Sequence, residues 1–427
     1  MLKRVKNDFK TLNGEIVIPP DKSISHRAVI LASLAKGKST IKNFSDGKDP
    51  KSTLNIFKNL GVDIDILEKS TIAINSNSKL LPPAQNLDCG NSGTSMRLIA
   101  GVLARQNFNS ILIGDQSLSK RPMKRIIEPL TMMGANIESK EGKAPLKIYG
   151  EKLHAITYKI PKSSAQVKSC ILLAGLGADD GKTIITEPSL SRNHTEIMLQ
   201  YMGANIEITG NTVSIEKSEL APIDIEICGD ISSAAYFIAA ALLIPNSNIT
   251  LKNVGLNPTR TGMIDILAKM GANIKIFDEQ EICGEKVGTL QVKYSQLKSC
   301  EISGEIIPRL IDEIPILAIL ATQAEGQTII KDSQDLRNKE SDRITTVVTE
   351  LKKLGADIEE TPDGMLINGK TPLIGDSEIE TYHDHRLAMS LYVAGLICQK
   401  EILIKNFQWV NISFPTFEKL FETLKKQ

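Results

Sequence analysis

The chain has 427 residues, 51 Lys and Arg against 50 Asp and Glu, and 41% hydrophobic but only 4% aromatic side chains. That length, with 24% charged residues, describes two or three folded domains and excludes wholesale disorder. A net charge of +1 excludes a broadly basic surface for nucleic acid or membrane, and the longest apolar run, Ala234 to Ile244, falls short of the ~20 residues that span a bilayer.

From the N-terminus, Met1 to Lys10 is polar and carries no apolar signal-peptide core, so a cytoplasmic location is expected. Six cysteines (89, 170, 228, 283, 300 and 398) lack CxxC or metal-type spacing, which suits a reducing compartment. Six apolar helices are then predicted, each followed by a turn and a strand: AVILASLAKGKSTIKN, RLIAGVLARQNFNSILIGD, CILLAGLGADDGKTIITE, AAYFIAAALLIPNSNITLKN, ILAILATQAEGQTIIKD and RLAMSLYVAGLICQKEILIKN. They end at Asn43, Asp115, Glu187, Asn253, Asp332 and Asn406, at steps of 72, 72, 66, 79 and 74. Between them a second signature recurs, a helix end, a glycine and a strand, as LGVDIDI, MGANIES, MGANIEIT, MGANIKIF and LGADIEET. Its glycines are 61, 134, 203, 271 and 355. Glycine just past an amphipathic run is a helix C-cap, and the alternation after it reads as a half-buried strand. Six copies of a unit of about 70 residues account for the length, the last ending in a helix from Phe417 to Lys426. A unit of that size buries its helix only against neighbours, so three per domain is expected, with a boundary near 240 in a mixed α/β fold.

Five of the six apolar helices are preceded by polar segments: Asp21 to Arg27, Gly90 to Arg97, Lys162 to Lys168, Gly229 to Ser233 and His383 to Arg386. Before the fifth helix stand only Asp312 and Glu313. Ser, Thr, Asp and Asn are ordinary N-caps, and capping alone explains any one segment. Lys22, Arg27, Arg97 and Arg386, placed in first turns, are different. Cations there oppose the helix dipole by ~0.3–1 kcal/mol each, a cost that a bound anion removes. Two loops concentrate more charge. Gly114 to Met123 sets Lys120-Arg121 at a turn, and Asp335 to Arg343 packs seven ionisable or amide side chains into nine residues. Carboxylates among cations suit proton transfer beside an anionic substrate. No GxxxxGK[ST] stands in the chain, nor a GxGxxG after a predicted strand, and five scattered histidines do not form a metal cluster. Neither metal nor cofactor is expected.

Taken together, PPDKSISHR, GNSGTSMR, the KRPM loop, SSAQVKS, LSRNHTE, DEIPILA, LRNKESDRI, DHRLAMS and SFPTF resemble, in order and over the full chain, the 3-phosphoshikimate 1-carboxyvinyltransferase (EPSP synthase) family. SSAQVKS and LRNKESDRI look like the second of its two sequence classes. The resemblance implies transfer of the enolpyruvyl group of phosphoenolpyruvate to the 5-hydroxyl of shikimate 3-phosphate, in the shikimate pathway to chorismate and the aromatic amino acids. It implies the two-domain enolpyruvyl transferase fold, with six βαβαββ units, three per domain. Because the family's first strand joins the C-terminal domain, residues 20–238 would form one domain and 1–19 plus 239–427 the other. By the same resemblance Lys22, Ser23, Arg27, Ser164, Ala165, Gln166, Ser191 and Arg192 bind shikimate 3-phosphate together with Asp312 and Lys339. Phosphoenolpyruvate falls to Lys22, Gly93, Arg121, Gln166, Arg343, His385 and Arg386. Asp312 takes the hydroxyl proton, Glu340 shuttles a proton, and Lys22 acts with them. The partners implied are the two small-molecule substrates, with no nucleic acid or membrane, and a monomer is expected. Arg121→Ala and Arg343→Ala are expected to keep the fold and weaken phosphoenolpyruvate binding. His194 stands where the family often has tyrosine, and Asn411-Ile412-Ser413-Phe414-Pro415 lacks a lysine often found there. Gly93 leaves room for the inhibitor glyphosate. Two rivals remain: UDP-N-acetylglucosamine enolpyruvyl transferase, which uses a cysteine where the Gly114 to Met123 loop has none, and a non-enzymatic anion-binding scaffold.

Overall fold

A computed structural model describes residues Met1–Lys425; Lys426, expected to close the last helix, and Gln427 lie outside the described residues. The repeated glycines do what their spacing predicts. Gly61, Gly134, Gly203, Gly271 and Gly355 all have φ between 82° and 95°, a conformation a side chain would strain. At the first of them Gly61 N–H donates to the Lys58 carbonyl and Val62 N–H to the Phe57 carbonyl, both at 3.0 Å. That pair of bonds satisfies the last carbonyls of the helix Lys48–Asn59. The recurring Asn or Asp at the strand ends has a related cause: Asn43, Asn253, Asp332 and Asn406 are left-handed, with φ of 53° to 59°, which Asn and Asp tolerate best among side-chain-bearing residues.

The first five units each carry an apolar helix, a second helix and a small four-stranded sheet. Leu87–Asp88, the helix Gly93–Ala104, Ser110–Ile113, the helix Lys124–Met132, Asn136–Lys140 and Lys143–Tyr149 form one complete βαβαββ copy. Its first two strands are parallel and the rest antiparallel. Residues 157–215 and 301–368 repeat it. Two further copies borrow a strand from elsewhere in the chain. Asp224–Glu226 pairs in parallel with Lys36–Lys42, and Asn13–Val17 pairs in parallel with Asn248–Lys252. The sixth copy is shorter: Ser377–Glu380 and Ile402–Lys405 gain Lys3–Val5 as an antiparallel third strand.

The chain divides into two compact units. One comprises Met1–Pro19, Cys228–Gln280 and the chain from Lys286; the other comprises Pro20–Ile227 with Glu281–Glu285. The second division follows the strand Asp224–Glu226. Residue 239, by contrast, lies mid-way along the buried helix Ile231–Leu243, whose apolar residues must share one core. Within the 20–227 unit the helices Gly93–Ala104 and Ala165–Gly175 touch backbone to backbone, since a Cβ on Gly101 would fall 2.2 Å from the Cys170 carbonyl oxygen. The 228–425 unit is closed instead by rings. Phe237 stacks on Phe421 at 4.5 Å, and Phe414, Phe417 and Tyr392 surround them. Burying each such ring contributes ~1.5–3 kcal/mol, so the few aromatics of the composition anchor the C-terminal helix Phe417–Lys425.

Candidate active site

In the 20–227 unit, three helix N-termini carry the polar segments. Asp21 caps the helix Lys22–Leu34, its carboxylate accepting from Ile24 N–H at 2.8 Å. Ser92 caps Gly93–Ala104 by accepting from Ser95 N–H at 3.0 Å. Ser164 precedes Ala165–Gly175 without a side-chain cap. Lys22 opens its helix and donates to Asp49 Oδ2 at 3.1 Å. Arg27 and Arg97, expected in first turns, lie in second turns, because each helix begins four or more residues before them. Arg27 reaches back to the Ser23 carbonyl at 3.0 Å, and holds Thr195 Oγ1 at 2.7 Å and Ser169 Oγ at 3.0 Å. Arg97 donates to Gln166 Oε1 at 2.5 Å while Gln166 donates to Thr94 Oγ1 at 3.0 Å. Arg121, from the KRPM loop, donates to Asn91 Oδ1 at 3.0 Å; Asn91 is fixed by Asp115 at 2.7 Å. A Cβ on Gly93 would stand 3.0 Å from Arg97 Nη1 and 3.2 Å from Arg121 Nη1. Gly93, Arg97, Arg121 and Gln166 thus stand together, while Lys22 and Arg27 are each held by oxygens of their own, Asp49 for Lys22 and Thr195 and Ser169 for Arg27.

Behind them His26 is buried, its Nδ1 2.7 Å from Thr53 Oγ1, which is 2.7 Å from Ser95 Oγ. Burial first, then Lys22 and Arg27, hold its pKa well below the ordinary value, so the ring is neutral. Ser191 is buried and donates its hydroxyl to Glu187 Oε2 at 2.6 Å. His194 is buried with its Nδ1 2.6 Å from Glu285 Oε1, so the ring that replaces tyrosine is tied to a carboxylate. Ser23, Ser164, Ala165 and Arg192 stay partly exposed at helix starts and in the loop after Ser191.

In the 228–425 unit the charged loop and the sixth polar segment converge. Asp312 Oδ1 lies 3.2 Å from Lys339 Nζ and 3.3 Å from Arg343 Nη1, and its Oδ2 lies 3.5 Å from Arg386 Nη2. Glu340 Oε2 accepts from Arg343 Nη2 at 2.7 Å. Asp384 accepts from Arg343 Nε at 2.7 Å while capping the helix His385–Ile397 through Arg386 N–H at 2.9 Å. Arg343 is 1% exposed. Burial opposes its charge, but Asp384, Glu340 and Asp312 overcome this and raise its pKa. Burial likewise opposes the charge of Asp384, and Arg343 is the chief group that nonetheless holds its pKa below the usual carboxyl value. The turn that aims Asp384 carries left-handed backbone at Tyr382 and His383 (φ 50° and 62°), a conformation costing about 1–3 kcal/mol per residue. His385 is buried at the helix start, whereas His383 packs on the Trp409 ring at 4.8 Å. Among the described residues no group of three His, Cys, Asp or Glu side chains is arranged to hold a metal. Cys89 is fully buried, and burial pushes its thiol well above the ordinary range, which makes it inert.

Asp49, Asn91, Glu313 and Asp384 were not singled out as site residues from the sequence. Asn91 and Asp384 stand inside the polar segments, and Glu313 follows Asp312, but nothing local to Asp49 announces that it meets Lys22.

The sequence profile of the EPSP synthase (3-phosphoshikimate 1-carboxyvinyltransferase) family matches residues 6–421. The chain belongs to that family. It is 53% identical over 432 residues to the 3-phosphoshikimate 1-carboxyvinyltransferase of Thermodesulfovibrio yellowstonii, covering 100% of both chains. To that of Thermoanaerobacter sp. (strain X514) it is 52% identical over 416 residues, 97% of this chain and 98% of the relative. The solved EPSP synthase of Acinetobacter baumannii superposes with a TM-score of 0.88 at 41% identity, covering 99% of this chain and 98% of that one. The enolpyruvyl transferase NikO of Streptomyces tendae shares the fold, with a TM-score of 0.81 at 18% identity over 99% and 97% of the chains. The α/β enolpyruvyl transferase fold and the family read from the motifs are therefore both found.

Proposed function

We propose that the chain transfers the enolpyruvyl group of phosphoenolpyruvate to the 5-hydroxyl of shikimate 3-phosphate, releasing phosphate. The observation that carries this reading is the cluster in which Asp312 meets Lys339, Arg343 and Arg386 within 3.5 Å while Glu340 shares Arg343. Addition needs a proton placed on the methylene carbon of phosphoenolpyruvate and another removed from the attacking hydroxyl. Asp312 accepts the hydroxyl proton. Glu340 delivers one to the methylene carbon, then recovers one from the resulting methyl group as the C–O bond to phosphate breaks. Lys22, Gly93, Arg121, Gln166, Arg343, His385 and Arg386 take the phosphate and carboxylate of phosphoenolpyruvate. Lys22, Ser23, Arg27, Ser164, Ala165, Gln166, Ser191, Arg192, Lys339 and Asp312 hold shikimate 3-phosphate. Both substrates are multiply anionic, so every cation gains strength where water is excluded. The proton steps use these carboxylates alone, and the reaction draws on neither metal nor cofactor.

The same reading takes the protein as a cytoplasmic monomer, and no described helix is long and apolar enough to cross a membrane. It also makes the protein a glyphosate target, since Gly93 adds no side chain beside Arg97 and Arg121. The deciding experiment mixes the protein with phosphoenolpyruvate and shikimate 3-phosphate and follows phosphate release. Release with UDP-N-acetylglucosamine in place of shikimate 3-phosphate would overturn the reading in favour of the sister reaction; release with neither would leave an anion-binding scaffold.

A further inference from the structure

Lys168, at the end of the first turn of Ala165–Gly175, is 1% exposed. Its ammonium contacts the Glu187 carboxylate, lies 2.7 Å from Glu196 Oε1 and reaches the Ser191 carbonyl at 3.4 Å. Glu187 and Glu196 are 3% and 1% exposed. A buried ion cluster is weak evidence of stability, because apolar side chains of similar volume commonly replace one without loss. What the cluster does is hold two neighbours. Glu187 accepts from Ser191 twice, from its N–H at 3.1 Å and from its hydroxyl at 2.6 Å. Glu196 sits in the first turn of His194–Tyr201, where the helix end favours a carboxylate. The adjacent Thr195 takes Arg27 Nε at 2.7 Å and lies 2.7 Å from Ser169 Oγ, itself bonded to Arg27 at 3.0 Å. One buried cation therefore ties together the loop that carries Ser191 and the helix that steers Arg27.

We infer that Lys168 is a positioning residue for shikimate 3-phosphate, fixing Ser191 through Glu187 and Arg27 through the Glu196–Thr195 turn. The inference rests on the proposed roles of Ser191 and Arg27. Without the ammonium, Glu187 and Glu196 repel each other and the Ser191 loop shifts. Misplaced contacts then weaken the substrate they touch and leave the other substrate alone.

The test is steady-state kinetics on Lys168→Met, Glu187→Gln, Ser191→Ala and the Lys168→Met/Ser191→Ala pair, with thermal melts alongside. Lys168→Met is expected to raise KM for shikimate 3-phosphate about tenfold, with kcat and KM for phosphoenolpyruvate within about twofold. Glu187→Gln should move the same constant. The double variant should fall short of the product of the two single effects, because part of what Lys168 does passes through Ser191. A lower melting temperature with both KM values unchanged in Lys168→Met and Glu187→Gln overturns the inference, and if Lys168→Met does not fold, Glu187→Gln decides. Ser191→Ala and Arg27→Ala that leave the shikimate 3-phosphate constant untouched overturn the underlying reading instead.

Discussion

Arg27, Arg97 and Arg121 lie against Ser, Thr, Gln and Asn oxygens in the 20–227 unit, whereas Arg343 and Arg386 lie against Asp312, Glu313, Glu340 and Asp384 in the 228–425 unit. Hydroxyl and amide oxygens orient a guanidinium, which suits holding an anion. Carboxylates around a guanidinium offset its charge and can take or give a proton beside it, which suits moving protons. The same residue type thus stands in two electrostatic settings, and only in the second do carboxylates able to move protons surround the anion-binding cations.

The largest expected effect separates these settings most sharply. Removing Arg343 leaves Asp312, Glu340 and Asp384 without their shared cation, and breaking a buried pair of this kind costs about 3–5 kcal/mol. Arg343→Ala should therefore lose both activity and stability in denaturant titrations, contrary to the sequence-based expectation that the fold is kept. The bond to Asn91 that Arg121→Ala removes is worth about 1 kcal/mol. That variant should melt close to the parent while raising KM for phosphoenolpyruvate at least about tenfold. Equal stability losses in the two variants would break the comparison.

Acid should also tell the units apart. The folded pKa of His26 is depressed, so its contribution to stability is present above the unfolded value of about 6.5 and declines as pH falls below it, by up to ~1.4 kcal/mol per pH unit. Asp384, depressed as a carboxyl, contributes above about 3.9 and loses that contribution only as pH falls through its lower folded value. Melting temperatures of His26→Gln should accordingly be flatter between about pH 6.5 and 5, and those of Asp384→Asn flatter below about 4. An unchanged profile in His26→Gln would show that the ring is protonated in the fold.

The smallest effect is expected at Gly93. An alanine methyl 3.0 Å from Arg97 and 3.2 Å from Arg121 must push flexible guanidinium groups aside by a few tenths of an ångström. Gly93→Ala should raise KM for phosphoenolpyruvate about two- to fivefold and reduce inhibition by glyphosate more than that. Competition assays at fixed shikimate 3-phosphate would measure both.

Much of this was legible beforehand because its causes are local. Gly61 and its four counterparts mark helix ends by backbone conformation alone, and the apolar run Ala234–Ile244 announces its own burial. Lys339, Glu340 and Arg343 could be picked out because charges crowded into one loop need a reason, whereas Asp312 was picked out only by the family resemblance. The partners were not legible. Asp49 meets Lys22 from another helix, Asp384 reaches Arg343 from a segment 41 residues away in sequence, and Lys168 resembles a surface lysine until Glu187 and Glu196 are seen around it. The second domain division shows the same limit: 239 falls inside a helix that the compact units assign whole to one side, at Cys228.

The sequence by itself determined the repeat, the family, and which side chains are available for chemistry, since periodicity, capping and motif spacing act over a few residues. Tertiary structure alone decided how Asn13–Val17 and Asp224–Glu226 complete distant sheets, and which oxygen faces each cation. Strand register and ion pairing are set by contacts between residues far apart in the chain, and their energies depend on burial that folding creates.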